Sequence, residues 1–174
     1  METSTDVAFL TQSQLDQMAA HYGKVKGEVT LEQEQWLLFS LGNEIFALSM
    51  KELDEIATVT GGVAIPSIKR HVIGLISIRG EPMVLVDTGQ AIGLPPAESL
   101  HDQQRVLVLK DSDGQLAGFL IDSIVKVTGL SEWQSLGDGE QQHYHSRFVE
   151  AVSEYEGKGV SKLNFAELIS CINE

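Results

Sequence analysis

Cysteine occurs once, at Cys171, so the 174-residue chain can form no disulfide within itself and no zinc site built on a cysteine cluster. A reducing compartment suits it. Basic residues are scarce as well: 12 Lys and Arg stand against 25 Asp and Glu, a formal net charge of -13. A surplus of that sign repels phosphate backbones and anionic headgroups, which argues against nucleic acid or a membrane surface as a partner. No run approaches the roughly 18 apolar residues of a membrane-spanning helix. Residues 1–10 carry acids and no base, so no secretory leader is expected. These absences point to a cytosolic protein without direct membrane insertion. What is present is a globular composition, 43% apolar and 21% charged, too apolar for a disordered acidic chain.

Residues 1–34 read differently from the rest. Glu2, Asp6, Asp16, Glu28, Glu32 and Glu34 are set against only Lys24 and Lys26. Leu15, Met18, Ala19 and Tyr22 fall on one face of a short helix that Gly23 is placed to stop. The segment is expected to be an acidic, partly helical N-terminal extension, either loosely docked or presented to a partner.

From Trp36 onward the pattern becomes short apolar runs, at 36–41, 45–48, 55–60, 72–78, 83–86, 106–109, 119–121, 124–127 and 148–152. They are rich in β-branched residues and punctuated by Gly, Pro, Asn or Asp, with Gly42-Asn43 marking a first hairpin. Helical pieces are short, at 50–54, 88–92 and 165–172. With no helix of about ten residues between strands, the prediction is a mainly β fold of small barrels or a sandwich, not βαβ units. The stretch 94–104 is proline-bearing and aperiodic, and is expected to be an exposed connector dividing a domain at 35–174 into two halves.

Catalytic and metal-binding patterns have plainer explanations. His143 and His145 share ligand spacing but have no obvious third ligand beyond Asp138 and Glu140. Asp111-Ser-Asp113-Gly starts like a calcium loop, yet Leu116 stands where Gly is needed and Asp122 where the bidentate Glu belongs, so a hairpin turn is expected. Gly157-Lys-Gly159 lacks both the remaining glycine of a dinucleotide loop and the ending of a P-loop, which leaves a turn and strand. Cys171 is expected to be a buried structural thiol. Asp87 and Asp122 each close an apolar run; they read either as an acid–base pair or, more simply, as caps accepting from backbone N–H groups of the next turn or short helix. No cofactor is implied.

Arg79-Gly80 is the unusual local feature. A full positive charge follows the apolar run 72–78, and an Arg at the end of a buried strand needs a partner, with Glu55 and Asp87 as candidates. The alternative is a partner-binding role.

Taken in order, Trp36-Leu-Leu-Phe-Ser-Leu-Gly-Asn-Glu-Ile-Phe-Ala-Leu48, Lys51-Glu-Leu-Asp-Glu-Ile56, Ile65-Pro66, His71-Val-Ile-Gly-Leu-Ile-Ser-Ile-Arg-Gly80, Val84-Leu-Val-Asp87, Arg105-Val-Leu-Val-Leu109, Gly118-Phe-Leu-Ile-Asp122 and Asn164-Phe-Ala-Glu-Leu168 resemble the CheW-like adaptor family of bacterial chemosensory systems. The resemblance implies two interlocked five-stranded SH3-like β-barrels around a shared core, joined near 94–104, and no catalysis. It implies a cytoplasmic adaptor that links chemoreceptor tips to the regulatory domain of a histidine kinase within a membrane-receptor array. Carried over by motif, Leu53 and Glu55 fall on a contact surface, and Arg79 and Gly80 are the family's Arg-Gly pair. Gly74 and Gly118 permit close backbone approach, and Val125 is a groove residue. Val84, Thr88, Ala151, Ser161 and Lys162 depart from the family pattern and mark a divergent member. Two alternatives remain at this level: a CheW-like scaffold recruiting another motility or pilus-pathway protein, and a small-ligand-binding β-barrel.

Overall fold

Trp36, Leu37, Leu38 and Phe39 are each buried to 2% exposure or less, so consecutive residues of one strand bury both of its faces. Apolar runs without alternation follow from that geometry. The structure, a computed structural model, describes residues 33–59, 63–64, 69–95, 102–136 and 146–173. The helix expected near residues 15–22 and the two histidines at 143 and 145 lie outside the described residues.

Twelve strands are described. They are β1 (Gln35–Leu41), β2 (Glu44–Ser49), β3 (Glu55–Thr58), β4 (Val63–Ala64), β5 (Val72–Ile78), β6 (Glu81–Asp87), β7 (Arg105–Lys110), β8 (Leu116–Ile121), β9 (Ser123–Gly129), β10 (Gln134–Ser135), β11 (Val149–Tyr155) and β12 (Lys158–Leu163). Two short helices, α1 (Thr88–Ala91) and α2 (Phe165–Asn173), and a 3-10 turn at Ser146–Phe148 complete the described elements. The helix expected at 50–54 is instead a turn. Glu52 N donates to Ser49 O at 3.0 Å, and by Asp54 the backbone already donates to Val108 O at 2.9 Å, which commits it to the entry of β3.

The strands form two sheets, mainly antiparallel. Sheet I runs β10-β11-β12-β2-β1-β9 and sheet II runs β3-β7-β8-β6-β5-β4. Each has six strands where five were expected, the sixth being a two-residue edge strand, β10 or β4. Each sheet also holds one parallel pair, β12 with β2 and β6 with β8. The chain starts sheet I with β1 and β2, builds all of sheet II, and returns with β9 to β12 to finish sheet I. The connector near 94–104 therefore joins strands of the same sheet, and the division between sheets does not follow the two sequence halves.

Three apolar layers result. In sheet I, Trp36, Leu38, Ala47 and Val160 cluster on one face. In sheet II, Ile76, Met83, Leu85, Val106, Val108 and Leu120 do the same. Between them Phe165 of α2 meets Phe39 of sheet I at 6.2 Å and Phe119 of sheet II edge-on at 5.1 Å. Each such buried ring contributes roughly 1.5–3 kcal/mol. Asn164 caps α2, its Oδ1 accepting from Glu167 N at 3.0 Å.

Neither sheet closes on itself through a backbone ladder among the described residues, but a side-chain contact ties the flanks of each. Arg79 Nε lies 3.0 Å from Glu55 Oε1, joining the β5–β6 turn to edge strand β3. Lys126 Nζ sits 5.7 Å from the centre of the Tyr155 ring, joining edge strand β9 to β11. Both pairs link elements that are not neighbours in their sheet, as strong curling requires.

Candidate partner-docking surfaces

Arg79 and Gly80 are the two central residues of the β5–β6 hairpin, with φ of 52° and 81°. Two successive left-handed residues define a type I′ turn, whose twist matches the flanking strands and whose preferred residues are Asn and Gly. Arg79 therefore holds a conformation that disfavours an ordinary side chain by roughly 1–2 kcal/mol. The arginine expected at a buried strand end is in fact 81% exposed on a turn tip. Of its two candidate partners it takes Glu55. Asp87 is occupied elsewhere, accepting from Gln90 N at 3.1 Å to cap α1, the capping role expected of it. Leu53, half-buried, precedes β3, whose first residue is Glu55. Beside it Asp54 pairs with Lys110 at 3.1 Å.

Gly74 and Gly118 are buried within sheet II and present no surface. Gly74 lies at a register shift of the β5–β6 ladder. A Cβ on Gly118 would stand 2.8 Å from Val106 Cγ1 and 3.3 Å from Ile76 Cδ1, so the missing side chain is what lets the sheet II core close. Val125 is exposed. It sits at a shift in the β1–β9 register between Leu38 and Phe39, where an extra residue in β9 turns both Ile124 and Val125 outward. Sequence alternation gives no signal for such a bulge, so Ile124 was not anticipated, nor was the exposed Leu75 on β5.

Asp122 caps a turn, but a remote one: Oδ2 accepts from Gly42 N of the β1–β2 turn at 2.6 Å. Asp111 Oδ1 accepts from Asp113 N and Gln115 N, both at 2.8 Å, which makes the expected hairpin turn. Among the described residues no group of three or more His, Cys, Asp or Glu is placed to hold a metal ion. Cys171 is half-buried rather than buried. An open cleft of about 530 Å³ lies between α2 and the β7–β8 turn, with Leu109, Phe165 and Ile169 in its wall.

Sheet I carries a second charged group. Lys162 Nζ pairs with Glu150 at 2.9 Å and lies 5.3 Å from the centre of the Trp36 ring. Glu52 nearby has its carboxyl pushed up, chiefly by burial, with Lys162 opposing and Glu150 and Glu34 reinforcing. Trp36 and Trp133 pack with ring centres 4.8 Å apart, and both indole Nε1 atoms are buried without a hydrogen-bond partner.

Two sheets sharing a core, each presenting charged and apolar groups at its turns and edges, define a β-sheet scaffold with candidate interaction surfaces. The family model described as CheW-like domain matches residues 35–172, and the chain belongs to that adaptor and scaffold family. It is similar to the chemotaxis protein CheW of Helicobacter pylori, 29% identical over 107 residues covering 62% of this chain and 64% of that protein. It is also similar to a probable chemotaxis protein CheW of Rhizobium etli, 21% identical over 55% of this chain and 61% of the relative. The chain thus spans less than two thirds of these relatives' lengths. In fold it is similar to the scaffolding protein TtCheW of Thermoanaerobacter tengcongensis, with a TM-score of 0.70, 19% identity, and coverage of 78% of this chain and 87% of the other. No helix among the described residues is long and apolar enough to cross a membrane.

Proposed function

We propose that this chain is a non-enzymatic adaptor that couples the cytoplasmic tips of chemoreceptors to the regulatory domain of a histidine kinase, working in the cytoplasm at receptor arrays. In this reading residues 35–174 are the adaptor domain and 1–34 an extension. Leu53, Glu55, Arg79 and Gly80 make one contact surface. Val125, with Ile124, contributes an apolar groove surface, while Gly74 and Gly118 support the sheet behind the first. Coupling requires only that each partner bind one geometry of the assembly better than others; no bond is made or broken.

The observation that carries the reading is Arg79. An exposed cation in a chain of charge -13 occupies a turn position that Asn would fill at lower cost, and strain held at an exposed side chain points to use of that side chain. Its ion pair with Glu55 is too exposed to account for it through stability, since such pairs are worth about 0–1 kcal/mol.

The test is Arg79→Asn, which converts the turn to Asn-Gly. The variant should fold with equal or higher stability in urea, yet bind a purified receptor-tip fragment about tenfold more weakly. Folded protein with unchanged affinity would remove Arg79 from the contact. Wild-type protein that binds neither the receptor tip nor the kinase domain would overturn the adaptor reading itself.

A further inference from the structure

The face of sheet I that carries Trp36 also carries three lysines. Lys126 of β9 is opposite Leu38, which is opposite Ala47, which is opposite Lys162 of β12, so the two lysines end one cross-strand row. Lys158 lies on the same face of β12, two alternations before Lys162 and on the side of buried Val160. It is paired across the hairpin with Tyr155, the residue whose ring Lys126 covers. Lys126 and Lys158 thus flank one phenol. Both are exposed, and neither makes an ion pair with a carboxylate among the described residues, whereas Lys162 is held by Glu150. Lys126 also hydrogen-bonds the Tyr155 side chain and interacts electrostatically with Glu156 of the adjoining turn. Tyr155 and Trp133 pack on the Trp36 cluster behind them, and the Trp36 and Trp133 indole N–H groups have no acceptor.

Lys126 and Lys158 are exposed cations beside an aromatic ring in a molecule with twice as many acids as bases, with Glu156 as their near carboxylate. We propose that the exposed margin of this face, at Lys126, Lys158 and Tyr155, is a second docking surface and that it takes an acidic segment of a partner protein. Carboxylates of the segment meet Lys126 and Lys158, and an apolar side chain packs on Tyr155 and Trp133. Charge complementarity selects the sign of the partner, and the aromatic rings provide the contact area. The surface is on sheet I and involves none of the residues of the Arg79 turn, so it stands or falls independently of that turn's role.

Trp36 and Trp133 are the chain's two tryptophans, so intrinsic fluorescence reports on this face. The probe is a short tryptophan-free helical peptide with Glu on one face and Leu on the other; its control carries Lys in place of Glu. The acidic peptide should give a saturable emission change that weakens about tenfold in the double variant Lys126→Glu/Lys158→Glu and falls with added salt. The basic control should not produce it, although the net charge of the whole chain would favour the basic peptide. If charge reversal perturbs the circular dichroism spectrum, Lys126→Gln/Lys158→Gln replaces it and should weaken binding in the same direction. No saturable change, equal binding of the basic peptide, or unchanged binding in the folded lysine variants would overturn the proposal.

Discussion

At the scale of single residues, Gly118 is the most exposed to a simple test. Its neighbour Val106 is fully buried and branched at Cβ, so the side chain has no free rotamer into which to retreat. Gly118→Ala should therefore cost about 1–3 kcal/mol, read as a lowered urea midpoint. Val106→Ala in the same background should return part of that loss, as a double-mutant cycle would show. His71 gives a second test, in pH. Burial, and then Lys69, hold its imidazole below the ordinary 6.5, with Asp87 opposing, and its Nε2 has no hydrogen-bond partner. The folded state thus prefers the neutral ring, and stability is lost as pH falls from about 6.5 through the lower folded value. Glu52, raised above 4.5, acts with the opposite sign: its contribution is present below 4.5 and is lost as pH rises through its folded value. Urea midpoints measured against pH should keep the Glu52 trend and lose the His71 trend in a His71→Gln variant.

At the scale of elements, α2 shows how a distant residue completes a helix. No basic residue occupies its last turn, and the unpaired carbonyls of Cys171 and Ile172 instead accept from Lys69 Nζ, 102 and 103 residues earlier in the chain. Lys69→Met should loosen that turn while leaving the sheets intact, because a cation at a helix C-terminus is worth only about 0.3–1 kcal/mol. Cys171 is a built-in reporter: its reaction with a disulfide reagent should speed up several-fold in Lys69→Met and stay near the wild-type rate in Lys69→Arg. An unchanged rate in the folded Met variant would mean that Lys69 does not secure the helix end. The strands were legible because their apolar runs are bounded by turn residues; Asp111 and Gly42 made the hairpins readable. Other features had no local signal. The two-residue strands β4 and β10 are too short to have a period, and the β9 bulge that exposes Ile124 depends on pairing with β1. The Arg79 partner could be narrowed to two acids by charge alone, but the choice of Glu55 depended on the curl of sheet II. Lys126 and Lys158, 32 positions apart in sequence, are neighbours only through Tyr155.

At the scale of the whole molecule, residues 34–174 form one compact unit, and family membership was readable from ordered motifs spread along most of it. The path of the chain was not readable, because an apolar run does not say which sheet it joins. That path bears on synthesis. A ribosome that has released residues through Ile121 has delivered every strand of sheet II but only β1 and β2 of sheet I. β2 pairs in parallel with β12 across more than a hundred residues, so the long loop is expected to close last and folding to be slow for the chain's size. A nascent chain stalled before Lys158 exposes the edge of β2 and its Phe46 to the cell, and this interval is when a chaperone would find it. Pulse-labelling exchange during refolding should accordingly protect the β7 and β8 amides before those of β2 and β12. The same order of events makes completion of sheet I, with its Lys126 and Lys158 margin, a checkpoint that only a chain synthesised through β12 can pass.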